Sequence, residues 1–351
     1  MRIGQGKLSR RKLLGSAAAT SAGLGVLHQA IPHQGLHTAI DSAFAQPDAH
    51  GGGHETQSGV VAHPNHAAAV GMVDPRVNGF DPQLIVRDFD AGRVVNGVRE
   101  WEIVAEEKTI EVAPGVRYDA WAYNGRVPGP TLRAREGERL RIHFTNGAQH
   151  PHTMHFHGIH TARMDGVPGV GSGNIEPGRS FTYEFEATPF GLHLYHCHTM
   201  PLAEHIAKGL YGAFIVDPKQ GRPPADELVM VMNGFDTNFD RSNEVYAVNT
   251  VAFDYMHRPI QVKRGELVRI YLVNLLEFDF VNSFHIHANF FDYYPTGTKL
   301  EPRDFTDTVI QGQAERGILE LRFPYTGRYM FHAHVSEFAE LGWMGFFEVS
   351  D

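Results

Sequence analysis

The stretch "PFGLHLYHCH", Pro189–His198, has a counterpart in "PYTGRYMFHAH", Pro324–His334. Each runs from a proline through a glycine turn into an aromatic strand that ends His-x-His. Upstream the match continues. "VPGPTLRAREGERLRIHFTN" (127–146) leads to "HTMHFH" (152–157), and "RPIQVKRGELVRIYLVN" (258–274) leads to "NSFHIH" (282–287). Each copy therefore reads proline, strand, Gly-Glu turn, strand ending in Asn, then His-x-His. A repeat of this length signals duplicated domains rather than a solenoid array. Gly (37) and Pro (20) recur between short runs rich in Val, Ile, Phe and Tyr. Helix-forming runs are scarce, so the expected fold class is all-β. "DPKQGRPPADE" (217–227) has the composition of an interdomain linker. The expected domains are 76–218 and 224–351.

The 351 residues are 42% apolar and 20% charged, which suits domains that bury a core. The formal net charge is −9. Residues 1–45 carry five basic residues (Arg2, Lys7, Arg10, Arg11, Lys12) and Asp41, so without their +4 the rest stands at −13. That sign argues against nucleic acid or an anionic membrane as partner. Ser9-Arg10-Arg11-Lys12-Leu13-Leu14 matches the twin-arginine export pattern. The apolar run Leu13 to Leu27 is too short and too rich in Ala and Gly to span a bilayer. With "AFA" (43–45) as cleavage site, 1–45 reads as a signal peptide. The expected location is the periplasm or outside the cell, without stable membrane insertion. Residues 46–75, with His50, His54, His63 and His66, read as a flexible His/Gly/Ala-rich segment with at most weak metal capture.

The 22 histidines stand against a single cysteine, Cys197, so no internal disulfide framework exists. Eight of the histidines form four pairs: His155/His157, His196/His198, His285/His287 and His332/His334. On a strand, residues i and i+2 share a face, so each pair presents two imidazoles side by side. Imidazole suits copper, zinc, iron or nickel. Four pairs at matched places in two repeats are hard to explain as core histidines. Cys197, between two of them, must face the other way. His152 and His205 are placed to join it, and two His with one Cys form a trigonal blue-copper set. The second repeat has Asn282, Ala333 and Leu341 at the three matching positions. All three thiolate-site donors are lost together while the paired histidines are kept.

On "MHFHGIH", "YHCH", "FHIH" and "FHAH" the chain resembles the two-domain, laccase-like multicopper oxidases with a type 1 copper in domain 1. The resemblance covers nearly everything beyond about residue 90. It implies two cupredoxin-like Greek-key β-sandwiches and four coppers per active unit. It also implies one-electron oxidation of phenolic, aromatic or metal-ion donors coupled to four-electron reduction of dioxygen to water. By motif, His152, Cys197 and His205 would take the type 1 copper. His155 and His285 would take type 2, and His157, His196, His198, His287, His332 and His334 the binuclear type 3 pair. Leu210 falls where a Met axial ligand often lies, which implies a three-coordinate site of raised potential. Asp165 resembles the acid beside the type 2 copper, with a role in orienting water and passing protons. Glu337 is a weaker relay candidate. Relatives of this kind form homotrimers whose trinuclear clusters lie between subunits. A copper nitrite reductase is the nearest alternative, but an aspartate is expected there in place of His155 and a non-ligand in place of His198. A non-enzymatic blue-copper electron carrier would leave the eight paired histidines without a role. Zinc hydrolysis needs no second, thiolate-bound metal.

Overall fold

The computed structural model describes residues 71–351. The twin-arginine segment and most of the His-rich 46–75 segment lie outside them. Residues 75–78 and 82–85 form two single-turn helices, α1 (Pro75–Asn78) and α2 (Pro82–Ile85). Each starts with a proline behind an aspartate, Asp74 or Asp81, whose side chain accepts a first-turn N–H. Proline costs nothing at that position, and aspartate is a strong N-cap.

The first half of the body holds nine strands. They are β1 (Arg93–Val95), β2 (Val98–Ala113), β3 (Val116–Tyr123), β4 (Leu132–Arg135), β5 (Arg139–Asn146), β6 (His155–Phe156), β7 (Ser180–Glu186), β8 (Gly191–His196) and β9 (Tyr211–Asp217). One sheet is ordered β1-β2-β5-β7 with β3 beside β2; the other is β4-β9-β8-β6. The second half repeats the plan with β10 (Asp226–Phe235), β11 (Val245–Val248), β12 (Ile260–Lys263), β13 (Val268–Asn274), β14 (Val281–Ile286) and β15 (Phe291–Pro295). It continues through β16 (Asp304–Thr306), β17 (Thr308–Gly312), β18 (Arg316–Leu321), β19 (Gly327–His332) and β20 (Met344–Ser350). Its sheets are β11-β10-β13-β18-β15-β16 and β12-β20-β19-β14-β17. Both halves are cupredoxin-like β-sandwiches, as the repeat implied.

Alternation explains the layers. On β5, Leu140, Ile142 and Phe144 are buried while Arg141, His143 and Thr145 are only partly covered. Period-2 burial sends one face of the strand into the core. Leu140, Ile142 and Phe144 join Trp101, Phe156, Tyr195, Cys197 and Leu210 in one apolar cluster. A second cluster is shared by the halves: Leu192, Leu194 and Ile215 pack with Val229, Val231 and Val273. The third centres on Phe284, Phe331 and Trp343 of the second half, with Val86 from the segment before β1 packed into it. At the junction, Arg133 pairs with Asp217 and Glu227, and the buried Arg269 with Glu227 and Glu320.

Register then sets the histidines. His155 on β6 is the direct partner of His196 on β8, and His285 on β14 is the direct partner of His332 on β19. Directly opposed side chains of an antiparallel pair lie on the same face. Each half therefore gathers four imidazoles at one end of one sheet.

Candidate metal centre

Cys197 follows β8 and faces away from its histidine neighbours, into the apolar core. Its Sγ lies 3.2 Å from His205 Nδ1 and 3.8 Å from His152 Nδ1, and the two Nδ1 atoms are 3.2 Å apart. His205 is carried by α3 (Leu202–Ala207), which follows Pro201. All three residues are buried. Burial lowers His152 to about 3 and His205 to about 4, with His152 further depressed by His205 and His150. The rings are therefore neutral, the form that binds metal. Burial pushes the Cys197 thiol up, so a thiolate here needs a cation beside it. Three facing donor atoms with too few hydrogens to share fit one metal ion. Thr153 N–H also points at Sγ, 3.3 Å away. Leu210 is fully buried in the same cluster as Cys197, and its carbonyl accepts the Cys197 N–H at 2.9 Å.

The paired histidines form two groups of the same design. In the first, His196 Nδ1–H donates to the Cys197 carbonyl at 2.8 Å, which leaves its Nε2 lone pair 2.8 Å from His157 Nε2. In the second, His332 Nδ1–H donates to the Ala333 carbonyl at 2.6 Å, and its Nε2 lies 3.1 Å from His287 Nε2. His155 Nδ1 is held by Asp165 Oδ1 at 2.8 Å and its carbonyl at 3.0 Å. His285 Nδ1 is held by Thr308 Oγ1 at 2.8 Å and the Asp307 carbonyl at 3.1 Å. Such partners on the far nitrogen fix the tautomer and aim the other nitrogen at the metal. His198 and His334 complete the groups, with ring centroids 5.2 Å from His155 and 5.4 Å from His285. Burial lowers His157 to about 2 and His196 to about 3. His287 and His332 are lowered for the same reason, although His287 is exposed.

Among the described residues, no histidine contact joins the two groups; each closes on itself. Asp165 sits on His155, and His160 Nε2 is 3.5 Å from the same Oδ1. Glu337 is exposed in α4 (Ser336–Glu340). Its charge acts on Tyr246, and it belongs to no candidate metal group. Sequence reasoning missed His160, although it is the last residue of "MHFHGIH". It also missed Trp121, which packs on both His152 and His205. In the second half Asn282 and Ala333 are fully buried, and no thiolate set is present among the described residues.

A His2Cys set buried in one cupredoxin sandwich, beside two clusters of imidazoles, defines a copper protein of the cupredoxin class. Residues 104–221 match a family described as multicopper oxidase, and residues 222–351 match a second family of the same description. A crystal structure of a multicopper oxidase is 64% identical, covering 80% of this chain and all of its own, with a TM-score of 0.78. The blue copper oxidase of Nitrosomonas europaea is 29% identical over 71% of this chain and 85% of its own, TM-score 0.65. The copper-containing nitrite reductase of Neisseria gonorrhoeae is 32% identical over 72% of this chain and 67% of its own length. The chain belongs to the two-domain multicopper oxidase family.

Proposed function

We propose that the protein is a laccase-like oxidase that takes single electrons from phenolic, aromatic or metal-ion donors and reduces dioxygen to water. His152, Cys197 and His205 would hold the type 1 copper. The eight paired histidines would hold a type 2 copper and a type 3 pair. When bound, copper supplies one-electron acceptance at the thiolate set and multi-electron reduction at the histidine cluster. The observation that carries this reading is the strand end His196-Cys197-His198. One backbone segment serves both kinds of site, and the His196 hydrogen bond to the Cys197 carbonyl ties them a second time.

The chain's own residues supply the rest. Asp165 holds His155 in one tautomer and, with His160, places a proton-carrying pair at the edge of the first histidine group. The two groups do not meet within one chain, so we infer that the first group of one subunit faces the second group of the next. Such a head-to-tail contact closes a ring, here a homotrimer. Exposed Phe290 and Phe305 beside His285 and His287 support a buried contact there. The twin-arginine pattern supports export.

Nitrite reduction is the second reading, favoured by the likeness to the Neisseria enzyme. Against it, His155 stands where that chemistry expects an aspartate, and His198 adds an imidazole that a three-histidine site does not use. Oxygen uptake on an aromatic donor, measured beside nitrite turnover, decides between them. Oxygen uptake with negligible nitrite turnover is expected; the reverse would overturn the proposal.

A further inference from the structure

Trp121 stands between the thiolate set and the surface. Its ring centroid is 4.7 Å from His205, 5.0 Å from His152 and 5.0 Å from His150. Strand register fixes a carboxylate beside it, because Glu107 on β2 is the direct partner of Trp121 on β3. Glu107 Oε1 lies 3.1 Å from Nδ1 of the exposed His150. The Trp121 backbone N–H donates to the carbonyl of Lys208, which follows the helix that carries His205. Lys208 Nζ then lies 5.8 Å from the Trp121 ring and 4.2 Å from the ring of Phe239. Phe239 arrives from the second half of the chain and is 60% exposed.

The charge on this patch is one-sided. Glu107, Asp119, Glu204 and Asp236 all attract the Lys208 ammonium, so four carboxylates act on one cation here. Excess negative charge draws cations, and the faces of Trp and Phe attract them further. Lys208 itself demonstrates the fit, since its ammonium already sits over these rings.

Resting on the reading that donors are oxidised at the thiolate set, we propose that the patch formed by Trp121, His150, Glu107, Lys208 and Phe239 is the donor site. It selects aromatic donors that carry a separate positive charge, such as phenols with an alkylammonium side chain, over anionic aromatics. The donor's ring stacks on the exposed Phe239, and its cationic group takes the place of the Lys208 ammonium beside the buried Trp121. Lys208 is thus a competitor as well as a lid.

Binding of two redox-inert probes to the copper-loaded protein tests this without turnover. Phenyltrimethylammonium and benzenesulfonate are titrated by calorimetry at low salt. The cation binds and the sulfonate binds at least roughly tenfold more weakly, as like charges in one patch require. Glu107→Gln weakens the cation about fivefold, near the worth of one unit charge at ~4 Å in water. Lys208→Gln tightens it by a similar factor, and Phe239→Ala, an exposed change, weakens it. Equal affinity for both probes, or a cation affinity that none of the three variants moves, overturns the inference. An oxidase active on oxygen with charge-blind binding would sink this site alone. Selective cation binding with these variant effects, in a protein that reduces no oxygen, would keep the site and sink the proposed function.

Discussion

At the scale of single residues, the opposite facing of Cys197 and its flanking histidines was legible because a strand repeats every two residues. That periodicity alone sends Cys197 one way and His196 and His198 the other, and the structure places them so. The partners that orient the ligands were not legible. The His196 and His332 rings are fixed by the carbonyl of the next residue, a backbone atom every sequence has. Cys197→Ser removes the soft donor, so the blue absorption band disappears while three of four coppers remain. Metal analysis with visible spectroscopy checks this. Asp165→Ala frees the His155 ring. Loss of such a partner typically costs roughly ten- to a hundredfold in metal affinity. Chelator competition should show that loss at one copper only, with the blue band unchanged.

At the scale of elements, the strands and their repeat were readable from Gly and Pro punctuation. The helix α3 was not. Residues 202–207 have no long amphipathic pattern, yet this single helical portion brings His205 back to Cys197 across eight residues. Trp121 was hidden for a related reason. Its place depends on the pairing of β2 with β3, where an irregularity between Glu111 and Ala113 shifts the register. The turn after β13 carries a titration of its own. Burial raises Glu277 from 4.5 to about 7. A carboxyl raised on folding binds its proton more tightly in the folded state. Its stabilising effect is complete below pH 4.5 and falls away as the pH rises through about 7. Glu277→Gln should flatten that part of the Tm-against-pH profile. A decline of unchanged slope in the variant would show that Glu277 is not its source.

At the scale of the whole molecule, the two sandwiches are locked by a shared apolar cluster and by the Arg133–Glu227–Arg269 junction. The two histidine groups of one chain do not touch, as the resemblance to trimers with clusters between subunits implies. Eight histidines look like one group when counted and are two separate groups of four when placed. The exposed Phe290 and Phe305 rings, 5.3 Å apart beside His287, mark where a second copy would seal the cluster. Phe305→Asp puts a charge into that contact, and a buried unpaired charge is costly. Light scattering should then report monomers that keep the thiolate-site copper and lose the rest. A Phe305→Asp trimer with full copper would place the contact elsewhere.

The most direct measurement mixes two inactive subunits. One carries His155→Ala and His157→Ala, the other His285→Ala and His287→Ala; each keeps its blue site and neither consumes oxygen alone. In a closed ring of three, random assortment leaves one intact pair of half-sites in every mixed trimer. Co-expressed subunits should therefore recover roughly a quarter of wild-type oxygen uptake. No recovery, in mixed trimers that retain their blue sites, would contradict a cluster shared between subunits.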